Sequence, residues 1–292
     1  MSVQEKSSVH ISSDLRVIQM IGLGLLCAFD EFCKKEGLSY SLAGGTLLGA
    51  VRHGGFIPWD DDVDIFMLRP DYEKLIELIK VDPFIGEHLE FIGSYQFNTN
   101  LTWIRLTDNR TTVQHQTSSS INHVWIDILP VDAVPENEED RRFIEKRLRF
   151  WRRLRLFLSA RPFTGKTKLR AVIKTPVVFL LNKLNAKAIV KSKIDKISKA
   201  YPYDRACYVA EVVAQGKFLG WMKKDTFKNS TMLEFEGRSF PVMPDYKFYL
   251  ESRYGQDYMQ LPPEENQCGH KMRVEVDWDE YDTESILIDV EK

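Results

Sequence analysis

"LAGGTLLGAVRHGGFIPWDDDVDIFM", residues 42–67, decides how this chain folds. Gly44 and Gly45 form a turn between an apolar segment (38–43) that reads as a strand and "TLLGAVRH" (46–53), which reads as a short helix. A loop (54–59) leads into "DVDIFML" (62–68), a second strand. Side chains alternate along a strand, so Asp62 and Asp64 share one face while Val63 and Ile65 point into the core. Two carboxylates so close repel one another unless a positive charge lies between them. Mg²⁺ or Mn²⁺ meets that need, because hard cations take oxygen ligands and commonly hold phosphate oxygens during transfer. Asp60 shares parity with Asp62 if the strand begins early, which makes Asp60/Asp62 the rival pair. Otherwise Asp60 and Asp61 read as supports that position Arg52 or His53. A solvated acidic loop or a calcium turn is the competing reading, but such loops rarely continue straight into an alternating buried strand.

A third carboxylate stands in "HVWIDILPV" (123–131). Asp127 sits inside an otherwise apolar strand, where a lone carboxylate is costly unless it faces a site. It reads as third metal ligand or general base, or else as the cap of a turn before Pro130. The glycines fit the same site. Free N–H groups at a helix start bind phosphate, glycine lets backbone approach a ligand closely, and Thr46 adds a hydroxyl.

Outward from this block, residues 14–36 read as a helix with Leu15, Ile18, Leu25, Leu26, Phe29 and Phe32 on one face, Ser12 or Ser13 as N-cap and Gly37 at its end. Residues 69–80 read as another, with Pro70 near its first position. "LEFIGS" (89–94), "TWIRLTDN" (102–109) and "TTVQHQ" (111–116) read as strands, and "PENEED" (135–140) opens a long helix. Alternating strands and helices predict an α+β fold, a mixed sheet carrying helices. Residues 136–200 read as wholly helical and basic: Arg141 to Lys199 holds 19 Lys/Arg against Glu145 and Asp195. Phe143, Ile144, Leu148, Trp151, Leu154 and Leu158 recur there at helical spacing, which suits either an anionic membrane surface or a core contact with a solvated basic face. "CYVAEVV" (207–213), "STMLEFEGRSFPVM" (230–243) with a hairpin turn at "FEGRSF", and a helix at "DYKFYLESRYG" (245–255) complete the fold. The expected organisation is a catalytic core over 1–135, a basic helical region over 136–200, and a part over 201–292 that completes core and site and ends in an acidic tail.

The formal net charge of -2 and 43% hydrophobic residues name no partner. No nucleic-acid motif is present, so no nucleic-acid partner is expected. Four cysteines without a CxxC pair read as reduced thiols. The N-terminus lacks an apolar h-region, and "VIQMIGLGLLCAF" (17–29) is too short to span a bilayer. The expectation is a cytoplasmic protein with no transmembrane helix, peripheral at the membrane.

"GGTLLGAVRHGGFIPWDDDVDIFM" (44–67), "DYEKL" (71–75), "WIDILPVDAVP" (125–135) and "FEGRSFPVMPDYKFYLESRYGQDYMQLPP" (235–263) together resemble the LicD family of phosphotransferases. The fukutin-related proteins look like distant relatives that share "GFIPWD" (55–60). The resemblance implies a nucleotidyltransferase-like fold, whose pattern of glycine turn, helix and D-hydrophobic-[DE]-hydrophobic is matched by Gly44–Gly45 and Asp62-Val63-Asp64-Ile65. That match favours Asp62/Asp64 over Asp60/Asp62. Two departures from nucleotidyltransferases, both normal for LicD-like proteins, are the sixteen residues between Gly45 and Asp62 and glycine at 45 where many have serine. The implied reaction moves phosphocholine or a similar phospho-alcohol from a CDP-activated donor such as CDP-choline to a hydroxyl of a glycan or lipid-linked glycan. Metal on Asp62 and Asp64 clamps the diphosphate, CMP leaves, and Asp127 takes the proton or holds metal. Arg52 and Arg105 would neutralise leaving-group charge. Trp59, Trp125 or a tyrosine would face a choline ammonium. His53 lies within the motif, and His270, after "PPEENQCG" (262–269), reads as a supporting residue near the site. Two other functions fit less of the pattern: a nucleotidyltransferase moving NMP from NTP to a small acceptor, and a non-catalytic membrane or nucleic-acid adaptor, which would have no need of three aspartates.

Overall fold

The computed structural model describes residues 10–12, 15–96, 99, 101–115, 121–159, 175, 176, 178–181, 183, 185–218, 220–267, 272–277 and 281. It is an α+β architecture. Among the described residues, ten strands form one mixed sheet. Its centre is β6 (Ile104–His115) against β7 (Ile121–Val134), antiparallel, with β3 (Asp64–Leu68) parallel to β7 and β2 (Ser41–Leu42) antiparallel to β3. On its other edge β6 takes β5 (Leu89–Gly93), which pairs with β4 (Phe84–Ile85), and then β12 (Met272–Val276), which pairs with β1 (His10–Ser12). The far end of β7 takes β8 (Tyr208–Glu211), which pairs with β9 (Met222–Lys223). A separate hairpin, β10 (Thr231–Phe235) and β11 (Arg238–Val242), turns at Glu236–Gly237 with both residues at positive φ, as the "FEGRSF" reading expects.

Helix α1 (Leu15–Glu36) buries Ile18, Leu25, Leu26 and Phe29 in the main core and stops at Gly37, whose φ of 62° is the left-handed conformation a helix end favours. Ser12 lies in β1, and Ser13 lies outside the described residues. α2 (Gly44–His53) begins two residues earlier than the sequence suggests, because the Leu47 amide already bonds to the Ala43 carbonyl at 2.9 Å. The strand expected over 38–43 shrinks to Ser41–Leu42, and the one expected from 62 starts at Asp64. Val63 and Ile65 are buried as expected. "TWIRLTDN" and "TTVQHQ" contribute to one long strand, β6, irregular in register between Asp108 and Val113.

β7 runs through Pro130, so Asp127 caps no turn there. Pairing with β6 ends at Ile128 and pairing with β8 starts at Val131, so the missing Pro130 N–H falls in a gap of that edge.

α3 (Arg69–Val81) starts with Pro70 in its first turn, as expected. α4 (Glu138–Ser159) and α5 (Ala186–Ser198) pack together over β8 in a second cluster that includes Ile144, Leu148, Leu158, Val190 and Ile194. Of the six apolar residues that mark α4 in the sequence, Ile144, Leu148 and Leu158 are buried and Trp151 and Leu154 pack against the same cluster; Phe143 alone is exposed. That stripe is therefore an inward face. No helix among the described residues is long and apolar enough to cross a membrane. Among the described residues Cys27, Cys33 and Cys207 are free thiols; Cys268 lies outside them.

Glu211, at the end of β8, is buried, and accepts hydrogen bonds from the amides of Ala214 (2.5 Å) and Gln215 (3.2 Å). Burial pushes its carboxyl up to about 7 from an ordinary 4.5, with Asp132 adding to the rise; the two amides and Arg253 oppose it. A carboxyl raised in the folded state contributes stability that is fully present below about 4.5 and is lost as pH rises through about 7. The loss is on the order of 3 kcal/mol. Glu211→Gln is expected to flatten the fall in melting temperature between those pH values, measured by scanning fluorimetry; an unchanged slope would rule Glu211 out as its source.

Candidate active site

Parallel pairing of β3 with β7 sets Asp64 and Asp127 in register, side by side on neighbouring strands. The Asp127 amide also bonds to the Val63 carbonyl at 2.8 Å, and the Ala43 amide to the Asp64 carbonyl at 3.0 Å, so the glycine turn is tied to the head of β3. Thr46 accepts the Asp64 amide at 2.9 Å, so its oxygen braces the strand.

The glycines lie directly under carboxylates. A Cβ at Gly44, whose φ is 53°, would sit 2.1 Å from Asp64 Oδ2, and one at Gly45 2.3 Å from Asp60 Oδ2. At Gly44 the left-handed backbone and the Asp64 side chain both oppose a side chain, and at Gly45 one would displace the Asp60 carboxylate. The Gly44 N–H donates to the buried Tyr249 hydroxyl at 3.3 Å, on α6 (Tyr246–Tyr254).

Asp60, Asp61 and Asp62 each present an oxygen within 4.8 Å of the others, a set that could hold a metal ion. Asp61 is buried, and the loop is pinned by Gln19, which donates to the Asp60 carbonyl at 2.9 Å. Asp62 acts on Asp64 as well. Burial holds the Asp64 carboxyl well above the usual carboxylate range, and the charges of Asp62, Asp127 and Asp60 raise it further, while Arg253 pulls it down. Four carboxylates thus converge on the head of β3, and Asp62 belongs to both the expected pair and its rival.

Asp127 is tightly held. Its Oδ1 accepts Trp103 Nε1 at 2.5 Å and Arg105 Nε at 2.6 Å; its Oδ2 accepts Trp125 Nε1 at 3.1 Å and Arg105 Nη2 at 3.4 Å. The Arg105 guanidinium lies 4.3 Å from the centre of the Trp125 ring, so the cation over Trp125 is Arg105. α4 reaches this cluster from behind: Arg155 donates to Thr102 Oγ1 at 3.0 Å and stacks 5.3 Å from the Trp103 ring centre.

A cavity of about 560 Å³ opens beside the aspartates, with Gly45, Asp60 and Asp62 on one side, Arg52 and Trp59 beside them, and Tyr254 and Tyr258 opposite. Arg52 donates to the carbonyls of Tyr258 (3.1 Å) and Gln260 (3.2 Å), which holds the C-terminal segment over the mouth. His53 is exposed beside Arg52, and its pKa is lowered by partial burial and by that charge. His270 lies outside the described residues.

Sequence reasoning missed three supports. Glu236, at the hairpin turn, accepts Arg16 at 2.7 Å and the Phe56 amide at 2.9 Å and so clamps the loop before the aspartates. Trp103 steadies Asp127. Arg253 is the cation that acts on Asp64; its signal was its place one helical turn after Tyr249 in "YLESRYG".

A family model described as LicD/FKTN/FKRP, nucleotidyltransferase domain, matches residues 37–168. The chain is 32% identical over 265 residues to the lipopolysaccharide cholinephosphotransferase LicD of Haemophilus influenzae, covering 89% of this chain and 96% of that protein. Over 35 residues it is 66% identical to the mouse (Mus musculus) ribitol 5-phosphate transferase FKRP and 57% identical to the human one, 12% of this chain and 7% of either relative. With this identity along nearly the whole length of one relative, and the glycine turn and aspartates in place, the chain belongs to the LicD family.

Proposed function

We propose that this chain is a phosphotransferase that moves phosphocholine or a related phospho-alcohol from a CDP-activated donor to a hydroxyl of a cell-surface glycan or its lipid-linked precursor, releasing CMP. It would do so with Mg²⁺ or Mn²⁺, on a nucleotidyltransferase-like core, in the cytoplasm. The reading is supported by relatives that transfer phosphocholine and ribitol phosphate, as their names state. The observation that carries it is the convergence of Asp60, Asp62 and Asp127 on Asp64, with Asp64 and Asp60 lying over Gly44 and Gly45 and Asp60 and Asp62 lining a cavity.

The residues fit a hard cation. Their donors are carboxylate oxygens, and their mutual repulsion is what a divalent ion relieves. Asp62 and Asp64 would hold it, with Asp60 and Asp61 close enough to join; the charge it supplies would offset that of a diphosphate. Asp127 completes the carboxylate set. Both of its oxygens are taken up by Trp103, Trp125 and Arg105, a geometry that suits holding Arg105 beside the site. Arg52, at the cavity, would meet leaving-group charge, and Trp59 with Tyr254 offers aromatic faces to a quaternary ammonium.

Isothermal titration tests this. CDP-choline is expected to bind only with Mn²⁺ present. Failure of every CDP-alcohol to bind, alongside tight NTP binding, would overturn it in favour of nucleotidyl transfer.

A further inference from the structure

The outer side of α4 carries an exposed apolar ridge whose described ring contacts stay within the helix, Phe150 edge-on to Trp151 at 5.3 Å and Phe143 5.3 Å from the Arg147 guanidinium. Phe143, Phe150 and Phe157 are seven residues apart, two helical turns, so they point in nearly one direction. They are 59%, 60% and 36% exposed, and Leu156 beside them is 61% exposed. The lobe's core is built by the inward face, Ile144, Leu148 and Leu158, against α5 and β8, and the phenylalanines lie outside that cluster. Along the ridge run two rows of cations at the same spacing, Arg142 with Arg149 and Lys146 with Arg153. Farther along the chain, Phe179 and Leu180 are 62% and 59% exposed.

We propose that this face of α4 docks on an anionic lipid surface, with the arginines and Lys146 at the headgroups and the phenylalanines in the acyl boundary. Basic rows beside an apolar ridge are what an interfacial helix needs, and each cation near an anionic leaflet adds to the attraction. A second copy of the chain is a poorer occupant, because two such faces bring like charges together. A nucleic acid is poorer too: aromatics stack on bases, but Leu156 gains only from an apolar medium. The inference is independent of the transfer reaction and concerns where the chain sits.

The test is flotation of the full chain at about 0.1 M salt, where surface charges still act over about 10 Å. Vesicles would be phosphatidylglycerol with phosphatidylcholine, or phosphatidylcholine alone. The chain is expected to float with the anionic vesicles and not the neutral ones. Phe143→Ser with Phe150→Ser should cut partitioning at least about tenfold, and Arg149→Ser with Arg153→Ser should also weaken it several-fold. Both variants should retain the parent's melting temperature and its Mn²⁺-dependent CDP-choline binding. The proposal is overturned by absence from anionic vesicles. It is equally overturned by unchanged flotation of the phenylalanine variant, by tight binding of a single-stranded oligonucleotide without vesicle binding, or by a dimer that the phenylalanine variant dissociates.

Discussion

Asp64→Asn is expected to abolish transfer while making the metal-free chain more stable. The carboxyl is desolvated, abuts the Gly44 backbone, and faces the charges of Asp62, Asp127 and Asp60 with only Arg253 in opposition. Asparagine keeps the shape and removes the charge. A charge-stabilising cation contributes several kcal/mol to a phosphoryl transition state, so losing a ligand should cost about 10³-fold or more in turnover. Relief of like-charge crowding should gain about 1–3 kcal/mol, a rise of several degrees in melting temperature for a chain of this size. The two effects have opposite signs, which separates a site residue from a structural one: a mutation that merely damaged folding would lower both. The stabilisation that Mn²⁺ gives the parent should shrink in the variant, because binding to the native state alone raises stability by mass action. Near-parent turnover would remove Asp64 from the metal site. A fall in metal-free melting temperature would show that its charge is already compensated.

Why this site was legible in the sequence, and its supports were not, follows from the range of the interactions. "DDVDI" declares itself within five residues, because strand alternation converts spacing directly into a shared face. Parallel pairing then made Asp127 the neighbour of Asp64 across 63 positions, and only its oddity in an apolar strand flagged it. Glu236 had no such signal. It reads as an ordinary hairpin-turn residue, and its partners Arg16 and Phe56 lie 220 and 180 positions away. Thr46 reads as a phosphate donor because it begins a helix, yet tertiary contact turns its oxygen toward the Asp64 amide. On α4, helical spacing fits two apolar stripes. The one containing Ile144 and Leu148 packs inward, and the phenylalanine ridge remains outside. Periodicity gives the faces of a helix but not which neighbour each face meets.

The largest stability effect is expected away from the site, at Asp132. Arg69 and Asp132 form a two-pronged ion pair, Nε to Oδ1 at 2.7 Å and Nη2 to Oδ2 at 2.8 Å, with Asp132 1% and Arg69 6% exposed. Arg69 also reaches Asp195 and Ser198 on α5 at 3.3 Å, and its guanidinium lies 5.1 Å from the Tyr72 ring centre. The pair therefore joins the start of α3, the end of β7 and the basic helices. Asp132→Ala strands a buried guanidinium whose nearest other carboxylates, Glu73 and Asp195, are about 40% exposed. Breaking one side of such a pair costs about 3–5 kcal/mol, because the remaining charge has lost its buried partner and keeps only half-exposed ones. That is a drop of roughly 10 °C in melting temperature. By contrast, Glu77→Ala, which removes the exposed partner of Lys80, should change little. The double variant Arg69→Met/Asp132→Leu tests the cause: if the cost lies in the stranded charge, removing both charges should recover most of the lost stability. If the double variant is as unstable as Asp132→Ala, the pair instead contributes directional hydrogen bonds that apolar packing does not replace.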